Sequence, residues 1–247
     1  MVARSDVSRL ADATGKVSAD AEALLADFFR SVDLGKPERV RDALLEVVPA
    51  ISSEFGDLSA GVAADWYEQV RAKEVGGRYV ARLGSPDDAD RVIGSVRWAS
   101  GELFKDNPQG AFDLLKGALQ RHVTYGARDT IARNVRLDPA RPRFAHVPTG
   151  SDPCGFCVIM GSRGWVYTTR EAAELNPKDR DGLHSQFHDN CHCQVVASWD
   201  ATQAHIDGYD PDLYYSMYES SRKPGDSLGQ TVNRMRKDFP DFFRVAT

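Results

Sequence analysis

The sequence predicts an α+β protein: an N-terminal helical bundle, a small Cys/His knuckle with short antiparallel strands, and a C-terminal tail. Three observations carry this reading. Apolar residues recur at helical spacing through the first half, a proline-rich break at Asp138–Pro142 changes the texture to short β-branched segments, and all four cysteines lie between Cys154 and Cys193. The expected units are a helical domain over 1–137, the Cys/His subdomain over 138–200, and a helical and aromatic tail over 201–247.

The elements follow in order. Leu24, Leu25, Phe28 and Phe29 give the segment 21–32 one apolar face. Pro37 suits the first turn of the next helix, where a missing N–H costs nothing. Val40, Leu44, Val47 and Val48 continue that pattern, and Pro49 is expected to bend or end it. Leu58, Val62, Trp66 and Val70 repeat every four residues, and Gly76-Gly77 stops that helix. Ser85-Pro86-Asp87-Asp88 reads as an N-cap with proline at the first helical position, ahead of a helix carrying Val92, Val96 and Leu103. A long last helix from Pro108 places Phe112, Leu115, Leu119, Val123 and Ile131 inward. The spacing thus predicts five or six helices in a bundle.

Beyond Leu137, Arg143–Val147, Trp165–Thr168 and Gln194–Trp199 read as short strands. A short helix capped by Thr168-Thr169-Arg170-Glu171 is expected in the polar stretch between them. Tyr209, Tyr214, Tyr215 and Tyr218 precede a turn at Pro224-Gly225, then a helix near Ser227–Lys237 and the tail phenylalanines Phe239, Phe242 and Phe243. These aromatics are expected to pack on the chain's own core.

Bulk composition narrows the function. A hydrophobic content of 42% with 27% charged residues suits a chain that buries a core. A net charge of −5, from 36 acidic and 31 basic residues, argues against a protein that coats nucleic acid. One basic stretch, Arg133, Arg136, Arg141 and Arg143, reads as a solvated linker, with a local nucleic-acid patch as the sharper alternative. No segment approaches the ~18 apolar residues that span a bilayer. The polar stretch 1–16 lacks a signal peptide's apolar run, so the chain is expected to stay in the cytoplasm where it is made. Thiols are reduced there, and clustered cysteines then point to metal more than to disulfides.

The chemistry sits in two pieces. In Cys154-Gly155-Phe156-Cys157, two thiols spaced by two residues can face one tetrahedral ion, and the small Gly155 lets the backbone curl around it. His188-Asp189-Asn190-Cys191-His192-Cys193 adds soft and borderline donors. Cys154, Cys157, His188 and one of Cys191 or Cys193 complete the four ligands of a structural zinc site. Alternation along a strand would put Cys191 and Cys193 on one side, the spare cysteine lying buried or in hydrogen-bonding contact nearby. His184 and His192 are weaker candidates.

Enzyme readings of the same residues are poorer. Pro153-Cys154-Gly155-Phe156-Cys157 matches half of a zinc deaminase motif, but His146 is followed by Val147-Pro148 with no glutamate. A thioredoxin-type pair should open a helix, whereas the glycine-containing run after Cys157 is expected to lead to a strand. His184 and His188 have zinc-protease spacing without the glutamate base. A metal-dependent nuclease using His188, Asp189 and Asn190 competes with the knuckle for its residues. The expected site is closed and structural, with no catalytic residue.

At these residues the chain resembles the phage Mu F-like head morphogenesis, or minor head protein, family of the actinobacteriophage type. The resemblance rests on D-x-C-x-x-C at Asp152, Cys154 and Cys157, then H-x-x-C-x-C at His188, Cys191 and Cys193; Gly161–Tyr167 is compatible with the G-x-x-[FWY] that follows the first pair. It covers roughly Arg141–Trp199. Asp189 stands where the family usually has proline. The resemblance implies a low-copy virion protein inside the capsid, assembled in the host cytoplasm and bound to the portal protein. It also implies contacts with major capsid or scaffold protein, and packaged DNA nearby without tight specific binding. A nucleic-acid-binding zinc module is the alternative reading, and a metal-dependent nuclease the second.

Overall fold

A computed structural model describes residues 1–150, 153–166 and 187–243. Four α-helices fill the first half: α1 (Arg4–Ser31), α2 (Pro37–Glu74), α3 (Ala89–Ala99) and α4 (Pro108–Leu137), with a 3-10 turn, Ser100–Lys105, between the last two. They are fewer and longer than the spacing predicts. α2 runs straight through Pro49, because Leu44, Val48 and Ile51 on both sides of it are buried against the bundle and that packing outweighs the lost backbone hydrogen bond. Gly76 and Gly77 follow its end, both with positive φ.

The cap of α3 also differs from expectation. Asp88, not Ser85, is the N-cap, accepting from the Asp90 amide at 2.8 Å. Asp87 turns inward, its carboxylate 2.6 Å from Nδ1 of the fully buried His122 on α4. Nε2 of that imidazole lies 2.9 Å from the Ser95 hydroxyl on α3, so His122 ties three segments together.

After α4 come β1 (Arg143–Val147), α5 (Gly155–Gly161), β2 (Gln194–Ser198), α6 (Pro211–Ser221) and α7 (Leu228–Asp238). β1 and β2 form a two-stranded antiparallel sheet pairing Arg143 with Ser198 and Val147 with Gln194. The strand expected from Trp165 is not formed at Trp165 and Val166; its remaining residues and the helix expected from Thr168 lie outside the described residues. Ser227 caps α7 through a capping box with Gln230, as the sequence near Ser227 suggests.

The three long helices carry two hydrophobic cores. One end of α1, α2 and α4 packs with α3 around Leu25, Leu44, Val96 and Leu115. The other end packs on the sheet and on α5, α6 and α7 around Leu10, Tyr67, Ile131, Phe144, Val158 and Tyr209. α4 is the shared axis, with buried residues on all sides. Its crossing with α2 is tight: a Cβ on Gly126 would stand 2.1 Å from the Gly56 carbonyl oxygen. Tyr209 and Tyr214 are buried, as the core reading of the aromatics expects, while Tyr215 is exposed.

Asp138, in the proline break, is a buried hub. Its Oδ2 accepts from Tyr67 Oη at 3.1 Å, Arg71 Nε at 2.8 Å and Trp199 Nε1 at 2.9 Å, and its Oδ1 accepts from the Ala140 amide at 2.9 Å. α2, the end of α4 and the end of β2 therefore meet on one carboxylate. Burial pushes its pKa up, but the Arg71 guanidinium and the amide and indole donors outweigh this and hold it below the usual carboxylate range.

Two outcomes follow. Gly126→Ala should lower stability by about 1–3 kcal/mol in urea unfolding, as overpacking at a helix crossing does, whereas Gly15→Ala, with nothing within 4 Å of its added Cβ, should not. Asp138→Asn should cost about 1.5–3 kcal/mol at pH 7, the worth of hydrogen bonds to a charged acceptor. Because the folded pKa is depressed, this contribution is present above the unfolded value near ~3.9 and is lost as pH falls through the lower folded value. The parent and the variant should therefore converge in acid.

Candidate metal centre

The two motif pieces meet beside α5. Cys154 is the N-cap of that helix, its Sγ accepting from the Cys157 amide at 3.1 Å. This corrects the expectation that the run after Cys157 leads to a strand. Val158, Ile159 and Met160 are buried in the core, and one helical turn presents them there. The expectation that set aside a redox pair for want of a following helix goes with it. Gly155 is small for a further reason: a Cβ there would stand 2.7 Å from Cγ1 of Val232 on α7.

Cys191 and Cys193 precede β2 instead of lying within it, yet both are buried and both reach the same point. Among the described residues, Cys154, Cys157 and His188 form one group of donor atoms lying within 4.8 Å of one another, and Cys157, Cys191 and Cys193 form a second. Cys157 is common to both. The Cys157 and Cys191 sulfurs are 3.7 Å apart, and Cys157 Sγ is 3.9 Å from His188 Nε2. A tetrahedral zinc with Zn–S near 2.3 Å spaces its sulfurs about 3.8 Å apart. Cys154 Sγ lies closer, 2.9 Å from Cys157 Sγ and 2.8 Å from His188 Nε2, and would open by about an ångström around such an ion.

The donors shift one another's titration through the hydrogen bonds between them. The hydrogen bond between the Cys154 and Cys157 sulfurs, against the cost of burial, and the neighbouring His188 bring the Cys154 pKa down to about 5. Cys154 in turn raises His188 to about 9. The Cys157 hydrogen bond pulls Cys191 down, while the same bonds to Cys154 and Cys191 push Cys157 up and burial raises Cys193. His188 Nδ1 sits 2.6 Å from the Asp189 carbonyl, which directs Nε2 at the sulfurs. Thiolates with an imidazole select zinc over hard cations. The residues present fit such an ion. The cavity lined by Cys154, Cys157, His188 and Cys193 measures only about 40 Å³.

What holds the second piece in place is α4, and sequence reasoning missed it. Arg128 is 2% exposed and its Nη2 donates to the carbonyls of Cys191 and Cys193, both at 3.1 Å. Its guanidinium stacks 3.6 Å from the Phe187 ring centroid. Burial lowers its pKa, and the facing thiols of Cys191, Cys193 and Cys157 oppose that shift. Gln120 Nε2 donates to the Cys191 carbonyl at 3.1 Å, and Arg121 pairs with Asp189 at 2.7 Å. Asp189, in the place where the resembled family has proline, thus clamps its turn by charge, and Asn190 beside it takes a left-handed φ of 59°. The available signal was a charged residue among the inward positions of a helical pattern, which must find a partner.

Of the weaker candidates, His192 is exposed and outside both donor groups, while His184 and Asp152 lie outside the described residues. An exposed trio of His205, Asp210 and Asp212 at the start of α6 is a surface ion pair in which Asp210 also caps the helix. Among the described residues no helix is long and apolar enough to cross a membrane.

The VG15 protein family matches residues 1–221, and the chain belongs to it. Two relatives are each called Gene 15 protein. That of Mycobacterium phage L5 is 29% identical over 202 residues, covering 64% of this chain and 65% of its own length. That of Mycobacterium phage D29 is 27% identical over 150 residues, covering 54% of this chain and 50% of its own length. The chain thus spans less than two thirds of either relative. No solved structure matches.

Cys157→Ser removes the donor shared by both groups. It should abolish zinc retention and lower the melting temperature, whereas His192→Ala should keep both at parental values. Zinc per chain measured by metal analysis, with thermal melting, checks this.

Proposed function

Starting from its place in a phage protein family, we propose that this chain is a structural minor head protein bound to the portal, with one zinc ion fixing its Cys/His knuckle. The observation that carries the zinc half is the convergence of Cys154, Cys157, His188, Cys191 and Cys193 from two distant stretches, with three of the four thiols almost wholly buried. The phage half is supported by the VG15 match and by the two mycobacteriophage relatives. The D-x-C-x-x-C and H-x-x-C-x-C spacing, shared with minor head proteins, supports the finer reading.

Zinc here is architectural. Catalytic zinc keeps an open position for water or substrate, whereas the five Cys/His donors gathered here are enough to fill all four positions of a closed site. The residues that would hold the ion are Cys154, Cys157, His188 and one of Cys191 or Cys193. The ion would supply cross-links between α5 and the turn before β2. The chain is therefore read as a non-enzyme whose helical end and knuckle offer surfaces to the portal and to capsid or scaffold protein.

Co-expression with the portal protein of the same phage tests this. The zinc-loaded chain should co-purify with the portal in a fixed ratio and appear at low copy in virions by mass spectrometry. A chain that leaves no trace in virions and does not co-purify contradicts the head assignment, while zinc analysis of the same sample reports separately on the knuckle.

A further inference from the structure

The basic stretch at the end of α4 is larger in three dimensions than in sequence. The loop after α2 is laid across α4 by Asn134, whose Oδ1 accepts from the Arg82 amide at 2.8 Å and from Tyr79 Oη at 3.1 Å. Asn134 Nδ2 donates to the Arg82 carbonyl at 2.7 Å, and Arg133 Nη1 donates to the Leu83 carbonyl at 3.0 Å. This lays the loop that carries Arg78 and Arg82 along the segment of α4 that carries Arg133 and Arg136. Arg141 joins them from the turn that closes α4, where its amide donates to the Asp138 carbonyl.

The carboxylates of this region are engaged by backbone amides or buried. Glu68 accepts from the Ala81 amide, Asp129 from the Ser85 amide, and Asp138 is buried among its donors. Some exposed cations elsewhere have acidic partners, as in Lys36–Asp33, Arg41–Asp42 and Lys105–Glu102. Arg78, Arg82, Arg136 and Arg141 are all exposed, and among the described residues none pairs with a carboxylate. On a chain of net charge −5, four uncompensated guanidiniums at one end form a polarised surface.

We propose that this surface binds the phosphate backbone of duplex nucleic acid, without reading sequence. All the cations are arginine, whose planar fork matches phosphate oxygens. They come from a helix end and two turns, so they can track a backbone without any element entering a groove, which gives positioning contacts and no base contacts. Val80, Leu83 and Leu137 are exposed among them, a feature an acidic protein face would also use. The test separates the two. The proposal does not depend on the head assignment.

The experiment is fluorescence anisotropy of the zinc-loaded full chain with an arbitrary duplex of about 20 base pairs across a salt series. Four guanidiniums on about four phosphates predict a slope near −3.6 for log K against log salt, roughly 150-fold weaker binding from ~50 to ~200 mM. Each of Arg78→Gln, Arg82→Gln, Arg136→Gln and Arg141→Gln should reduce the slope by about 0.9, and Arg→Lys should largely restore it. Lys105→Gln should change nothing. Because Arg136 also faces the negative end of the α4 dipole, each variant's melting is recorded alongside. No duplex binding at low salt, or a slope unchanged in four variants that melt like the parent, overturns the proposal and leaves the patch to an acidic protein face.

Discussion

The buried guanidinium of Arg128 is the constraint on which the arrangement depends. It stands on the central helix, which is packed on all sides, and it donates to the carbonyls of Cys191 and Cys193 in the turn before β2. A buried cation is costly unless it is hydrogen-bonded and electrically balanced. The carbonyls and the Phe187 face supply the first condition. The thiols would supply the second: with a divalent ion bound, three thiolates and the ion would sum to one negative charge, which the arginine would offset. The helical half and the Cys/His turn are therefore complementary in charge as well as in shape.

This explains why the two ends of the molecule are built differently. The bundle end is held by aliphatic packing among α1, α2, α3 and α4. The other end has a sheet of only two strands, and a two-stranded pair has little stability of its own. It is completed by α1, α2 and α4 beneath it, by α5, α6 and α7 around it, and by polar anchors. Asp138 gathers Tyr67, Arg71 and Trp199, and Gln203 donates to and accepts from the Val2 backbone. An ion held by the Cys/His donors would add a cross-link to these anchors.

Much of the fold was legible in the sequence because its signals are local. The α+β class, the strands Arg143–Val147 and Gln194–Ser198, the start of α4 at Pro108 and the helix near Ser227 each rest on a few neighbouring residues. Donor spacing singled out the five metal candidates, and the structure places them in two groups that share Cys157. What was not legible required partners distant in sequence. The continuity of α2 through Pro49 depends on packing against other helices. The helix after Cys154 depends on apolar residues finding the sheet. Arg128 is mute without knowing that the Cys191 and Cys193 carbonyls lie opposite, and Asp138 in its proline break looks like a linker residue until Trp199 arrives.

The central claim is that the two cysteine stretches close on a single ion held against α4. X-ray absorption at the zinc edge, on protein purified without chelator, addresses it most directly. The account predicts one zinc per chain with three sulfurs near ~2.3 Å and one nitrogen near ~2.0 Å. Protein without zinc, or a zinc shell of oxygen and nitrogen alone, contradicts it.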